Sequence, residues 1–262
     1  RFLTEFSTDL EGLATMARLQ HEVGDNEAAL ATLQRRLGLA NETAVRTETL
    51  REMATIAEHD LADAPRAIEL LRRGLALDHD HAGIVAEISR IARARGLWRE
   101  LLTVYDDRFG YLSEPEDAPR RVELALEAST IAERDWGDPA LAFDWARRGY
   151  VTALESDLDE VTAGKRVRAL ADEFRFRAEL LAVFDHEVAL LERRQSADAL
   201  VVRLREAAAV ALDHLADATK AVGYLERAHR AAPQDEDLAD QLERTAERHG
   251  LWQAVVELYG GR

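Results

Sequence analysis

The stretch GLWRELLTVY at residues 96–105 returns as GLWQAVVELY at residues 250–259, and RFRAELLAVF from Arg175 keeps the same apolar pattern. A chain that repeats itself at near-constant spacing buries equivalent faces over and over, which argues against a single-centred globule and for a stacked array. Turn markers set the spacing. Gly24, Ala62, Gly96, Gly137, Arg175, Ala216 and Gly250 are separated by 38, 34, 41, 38, 41 and 34 residues. A longer period is superimposed: IAEHDLADAPRA from Ile56 matches IAERDWGDPALA from Ile131 and VALDHLADATKA from Val210, with offsets of 75 and then 79 residues between Ala57, Ala132 and Ala211.

Each marker separates two helical patterns. Before it, Leu50, Met53, Ala54, Ala57 and Leu61 recur as Ala125, Ala128, Ser129, Ala132 and Trp136, and again as Leu204, Ala207, Ala208, Ala211 and Leu215. That three-four-seven spacing is one face of a helix. After it, Asp25, Asp63, Asp138 and Asp217 stand where a side-chain oxygen can cap a second helix, and Pro65 and Pro139 fall in its first turn, where a missing N–H costs nothing. The second helix is expected to bury Ala67, Leu71 and Leu75, with Ala142, Trp145, Gly149 and Ala221, Leu225, Ala228 as counterparts. Trp98 and Tyr105, seven apart, share a helix face and are expected to pack as large wedges in every second unit. No segment alternates with period two, so the expected fold is all-α: a right-handed α-solenoid of about seven antiparallel helix pairs over residues 1–262, cut from a longer repeat protein.

Composition narrows what such an array can do. The chain has no cysteine, which excludes disulfides, thiolate metal sites and cysteine nucleophiles. A net charge of -16 argues against nucleic acid or an anionic membrane as the main partner, because both require a basic patch. No apolar run reaches the length of a membrane span, and RFLTEFSTDL lacks the order of a signal peptide, so a soluble, cytoplasmic protein is expected. Lys165 and Lys220 are the only lysines beside abundant arginine, the usage of a GC-rich bacterial genome.

Motifs that resemble catalytic or metal sites fail on spacing. DHDHAG at residues 78–83 brings together acids and histidines but lacks ligands at helical spacing, and Asp80 suits a helix cap. His21-Glu22 and His186-Glu187 open like a zinc-protease motif, yet Asp25 and Leu190 stand where the second histidine belongs. DDRFGY from Asp106 lacks the further acids of a magnesium site. Arg73, Arg148 and Arg227 repeat with the core period; Glu69 and Asp144, four residues before the first two, supply surface ion pairs. No metal, cofactor or catalytic residue is expected.

The last full unit, with Ala208, Ala216-Asp217, Ala221, Ala228 and Pro233, resembles the tetratricopeptide repeat family; Asp78 marks the same closing position earlier, with His79 in place of the proline. Two intervals equal that family's 34 residues, and a looser helical repeat of the HEAT kind stays open as the alternative. The resemblance implies an interaction scaffold whose concave face is lined by the first helix of each unit. On that face lie Glu52, His59 and Asp60, then Glu127, Arg134 and Asp135, then Glu206, Asp213 and His214, in rows that also hold Ile56, Ile131 and Val210; the first unit departs with Ala14, Arg18, His21 and Glu22. Family members that clamp a terminal carboxylate use Lys and Asn there, which this chain does not supply. The glutamates favour instead a basic protein or peptide partner docked along an acidic groove. The alternatives are a spacer that joins neighbours through its ends, where Leu251, Val255 and Leu258 leave apolar faces, or a regulatory domain of a larger signalling protein. The oligomeric state is left open.

Overall fold

The seven turn markers share one backbone property. In the computed structural model, which describes residues 9–158, 161–253 and 256, all seven have positive φ: Gly24 at 81°, Ala62 at 53°, Gly96 at 66°, Gly137 at 74°, Arg175 at 64°, Ala216 at 54° and Gly250 at 70°. A left-handed residue reverses the chain sharply at a helix C-terminus and lets the next N–H groups return to the last carbonyls. Glycine adopts it freely; alanine and arginine hold it at a cost.

Thirteen α-helices result among the described residues. The pairs are α1 (Leu10–Glu22) with α2 (Asn26–Leu39), α3 (Thr43–His59) with α4 (Ala64–Leu75), α5 (Ala82–Arg95) with α6 (Trp98–Tyr111), α7 (Ala118–Ile131) with α8 (Pro139–Glu155), α9 (Val161–Phe174) with α10 (Arg177–Arg194) and α11 (Ala197–Asp213) with α12 (Ala218–Ala231). α13 (Glu236–Arg248) opens a seventh pair. No strand occurs among the described residues. Contacts divide the chain into two units, residues 1–113 with 134–137, and residues 114–133 with 138–262. Within each unit the helices of a pair pack on each other, and a second helix also packs on the first helix of the following pair.

The closing hydrogen bonds explain why units alternate in character. The N–H of Asp63, Asp138 and Asp217 reaches back six residues, to the carbonyls of Ala57, Ala132 and Ala211 at 2.8, 2.8 and 2.9 Å. In the turns at Gly24, Gly96 and Gly250 the donors Asp25, Leu97 and Leu251 reach back only five, to Gln20, Ala92 and Ala246. The wider turn continues α7 as a π-helical segment, Ala132–Trp136. Asp25 thus caps like the other aspartates yet belongs to the narrow class of turn. All four aspartates accept the N–H of the third helical residue, from 3.3 Å at Asp25 to 2.9 Å at Asp217.

The buried stripe follows the expected register except at its ends. Leu50, Met53, Ala54 and Ala57 are buried, as are their counterparts, but Leu61 and Leu215 are half-buried and Trp136 is 41% exposed. These three residues sit in the widened turn, where the chain has left the helix axis. Ser129 is the one polar member of the stripe; its hydroxyl donates to the carbonyl of Ala142 at 2.8 Å, linking α7 to α8. The wedges behave unequally. Tyr105 and its counterpart Phe184 are buried, Trp98 is half-buried at the start of α6, and Trp252 is exposed, while Tyr259, Val255 and Leu258 lie outside the described residues. α5 is capped by His81, whose Nδ1 accepts the N–H of Ile84 at 3.3 Å, rather than by Asp80.

Candidate functional site

Of the side chains expected to face a partner, Asp60 and Glu206 meet neighbouring helix pairs at sequence separations close to the repeat length, and similar contacts between pairs recur along the chain. In the first unit His21 of α1 meets Asp60 beyond α3 at 2.8 Å, and Glu58 of α3 receives both Nη atoms of Arg90 of α5, at 2.7 and 2.6 Å. Arg51 pairs with Glu87 between the same two helices. In the second unit Arg166 of α9 binds the Ser129 hydroxyl and carbonyl and Glu133, the last at 2.6 Å. Arg168 reaches Glu206 of α11 at 3.5 Å. The second helices carry a parallel set: Arg72 with Asp107 at 2.6 Å, Arg227 with Glu192 at 2.7 Å, and Tyr224 with Asp185. Arginine serves well here because its planar fork spans two acceptors at once.

This arrangement corrects two local readings. Arg73 and Arg148 are not the partners of Glu69 and Asp144; those acids pair with the arginine one residue earlier, Arg72 at 3.5 Å and Arg147 at 2.6 Å. Arg148 lies over the Trp145 ring at 4.0 Å instead. Three-residue spacing brought these charges together where four had been expected, and both spacings place side chains on one face.

The acidic rows are therefore partly neutralised. Glu52 takes Arg36 at 3.3 Å, Asp60 takes His21, and Glu206 takes Arg203 and Arg168. His59 is exposed, 3.6 Å from Glu58. Arg134, Asp135, Asp213 and His214 are exposed, and Glu127 is exposed with a partner of its own. Glu52, His59 and Asp60 stand in the first unit, as do Arg134 and Asp135; Glu127, Glu206, Asp213 and His214 stand in the second. Ile56 and Ile131, read in the same rows, are buried.

One concave feature gathers several of these residues. A cleft of about 380 Å³ opens between α1 and α3, lined by Ala14, Ala17, Leu33 and Ile56 with Arg18, His21 and Glu52 among its polar groups. The small side chains of Ala14 and Thr15 on α1 leave the cleft its room. Partial burial pushes the Glu52 carboxyl above its usual range, Arg36 opposes that, and the nearby Glu48 adds to it. Glu52 is thus an under-compensated acid at the edge of an apolar hollow.

Glu58 is the opposite case: the Arg90 fork holds its carboxyl below the ordinary range. Its stabilising contribution is complete above the pKa of an unfolded glutamate, about 4.3, and disappears as pH falls through the lowered folded value. Glu58→Gln is expected to cost about 1 kcal/mol at neutral pH and nothing below the folded value, read from urea unfolding at both pH values.

The acids and histidines of DHDHAG do not converge. His81 caps α5, and His79 stacks on Tyr111 with ring centroids 3.7 Å apart. Among the described residues no three His, Asp or Glu side chains are grouped to hold a metal ion, and no helix is long and apolar enough to cross a membrane.

No family model matches the sequence, nor does any curated protein. Similar solved structures are tetratricopeptide repeat proteins. One is a protein of nearly identical TPR-like repeats from Podosopora anserina, 16% identical over 72% of this chain and 98% of that one, with a TM-score of 0.34. The TPR2AB domain of yeast Sti1, in complex with pHSP90, is 15% identical over 93% and 87%, with a TM-score of 0.32. A signal-transduction ATPase with a tetratricopeptide repeat sensor from Pyrococcus horikoshii is 12% identical over 98% of this chain but 43% of its own, with a TM-score of 0.34.

Proposed function

We propose that the chain is a non-enzymatic protein-interaction scaffold that binds a basic partner segment on its first-helix surface, with a cationic side chain seated against Glu52 in the cleft between α1 and α3. The observation that carries this reading is the cleft itself. Its floor is apolar, its size suits one long side chain, and its half-buried carboxylate has a single arginine at 3.3 Å. A second cation entering there gains more than it would on an open surface, because the acid is already partly stripped of water. Asp60 and His59 extend the acidic surface beyond His21, and in the second unit Glu127, Glu206, Asp213 and His214 offer further exposed polar contacts. Arg134 and Asp135 contribute in the same way. His81, His79 and His21 are engaged in a cap, a stack and an ion pair, which favours binding over catalysis.

The test uses an arginine-rich peptide, with an acidic peptide of equal length as control. Binding that weakens with salt and drops about tenfold in Glu52→Gln, a change of roughly 1.4 kcal/mol, is expected. The same substitution is expected to raise stability at neutral pH: a carboxyl whose folded pKa is raised destabilises the fold when ionised and ceases to do so as pH falls through that value. Equal binding of the peptide by wild type and Glu52→Gln overturns the proposal.

A further inference from the structure

A basic cleft on the second helices stands apart from the surface described so far. It lies in the first unit, between the last turns of α4 and α6, and has a volume of about 400 Å³. Arg72, Arg73, Arg108 and His79 line it together with Glu69 and Asp107, and Leu75 and Ala76 form its apolar part. Cations suit these positions, because the carbonyl ends of helices favour positive charge. That preference explains the arginines without saying what they bind.

Both acids of the cleft are taken up by one arginine. Asp107 accepts from Arg72 Nε at 2.6 Å, and Glu69 lies 3.5 Å from Nη1 of the same guanidinium. Arg73 is left over. Arginine recurs eleven residues after the left-handed turn at Arg73, Arg148 and Arg227. Arg227 binds Glu192 at 2.7 Å, and Arg148 covers the Trp145 ring at 4.0 Å. Arg73 is exposed and holds no ion pair among the described residues, although the chain carries a net charge of -16. Its planar fork is open to an oxyanion, which it can meet with two parallel N–H donors.

The wall beside the arginines is flat and partly apolar. His79 is stacked on the exposed Tyr111 of α6, with the two rings inclined by only 18°. Leu75 is buried and lends the cleft hydrocarbon surface. A bare anion would use the guanidinium groups alone, whereas an anion on a flat carbon skeleton uses both halves of the cleft. A phosphoryl group suits it better than a carboxylate: its greater charge and three acceptor oxygens serve Arg73 and Arg108 together, while Glu69 and Asp107 stay with Arg72.

We infer that this cleft binds a phosphate monoester, with the phosphoryl group on Arg73 and Arg108 and the carbon portion against Leu75, Ala76 and the His79 ring. The site shares no residue with the Glu52 cleft and takes a ligand of the opposite charge, so it goes beyond the proposed partner binding. A phosphorylated side chain of a partner protein and a free mononucleotide both present this chemistry.

Calorimetric titration of the full 262-residue chain at fixed ionic strength tests the site and separates the two sources. The probes are a phosphotyrosine peptide, the same peptide without phosphate, adenosine monophosphate, adenosine and inorganic phosphate. One of the monoesters is expected to bind more tightly than inorganic phosphate and than its own phosphate-free form. Tighter binding of the peptide assigns the site to a phosphorylated partner, and tighter binding of the nucleotide assigns it to a small molecule. Arg73→Gln changes an exposed side chain, should leave the helical circular dichroism unchanged, and is expected to weaken binding about tenfold. Arg35→Gln, at the equivalent exposed position of the first pair, removes the same charge and should leave binding unchanged. Glu52→Gln should also leave it unchanged, which keeps failure of this site distinct from failure of the Glu52 reading. The inference is overturned if neither monoester binds, if inorganic phosphate binds as tightly as both, or if Arg35→Gln weakens binding as much as Arg73→Gln.

Discussion

Glu187→Ala is expected to destabilise the second unit by about 3–5 kcal/mol, the usual loss when one member of a buried charged pair is removed. Glu187 on α10 is 5% exposed and makes contacts from two directions. The Tyr150 hydroxyl of α8 donates to its Oε2 at 2.7 Å, and the Arg203 guanidinium of α11 lies 2.7 Å from the same oxygen. Arg203 also covers the Phe184 ring at 4.8 Å, with Arg168 over the same ring at 5.5 Å. Four consecutive helices, α8 to α11, thus contribute to one network. Gly164 on α9 makes room for it, because a Cβ there would stand 2.9 Å from the Tyr150 ring. Burial, then the bond to Glu187, pushes the Tyr150 phenol well above its usual range, so it remains a donor through neutral pH. Urea unfolding followed by circular dichroism measures the loss. Tyr150→Phe should cost less, about 1.5–3 kcal/mol. Replacing all three groups, as Tyr150→Phe with Glu187→Leu and Arg203→Met, should recover most of the stability, since no charge is then left buried alone. A loss below about 1 kcal/mol for Glu187→Ala, the size of a surface ion pair, would show that the network is solvated.

Gain of stability is expected from the opposite operation at the turns. Ala62, Arg175 and Ala216 hold left-handed conformations that glycine adopts at Gly24, Gly96, Gly137 and Gly250. A left-handed L-residue costs roughly 1–2 kcal/mol, and glycine returns part of that gain as unfolded-state entropy. Each single substitution to glycine should therefore stabilise by about 0.5–1 kcal/mol. The three sites belong to different helix pairs and should act additively, for about 1.5–3 kcal/mol in total. Gly137→Ala, where no neighbouring atom lies within 4 Å of an added Cβ, isolates the backbone cost without a clash and should lose about 1 kcal/mol. Denaturation midpoints of the triple variant and of Gly137→Ala decide the matter; a triple variant no more stable than wild type would place the strain elsewhere.

The turns also show how far local sequence carries. Seven markers read from glycine, proline and helix-period patterns are all left-handed residues, because the requirement at a helix C-terminus is local and recurs with each pair. The aspartate caps were legible for the same reason: a carboxylate one residue past the reversal lies within reach of the next free amides. The outcome at Trp136 was not. Its spacing matches Leu61 and Leu215, but the widened turn that exposes it depends on a carbonyl six residues back.

The candidate surface was less legible still. Glu52, Glu127 and Glu206 share one register, and register says which helix face a side chain occupies. It does not say which charge from another pair will meet it there. Arg203 is three residues before Glu206 on the same helix, but Arg36 and Arg168 come from other helices, and only the stacking of those helices brings them to Glu52 and Glu206. The polar network around Glu187 had no warning in the sequence beyond His186-Glu187, a pattern considered only for metal and set aside.

What the sequence by itself determined is the repeating helix pair: apolar periodicity, left-handed turns and caps act over fewer than ten residues and need no distant partner. What the tertiary structure alone decided is which polar groups are paired and which are half-buried. Those properties depend on how much water each helix loses to its neighbours, and water exclusion is set by packing between segments a whole repeat apart.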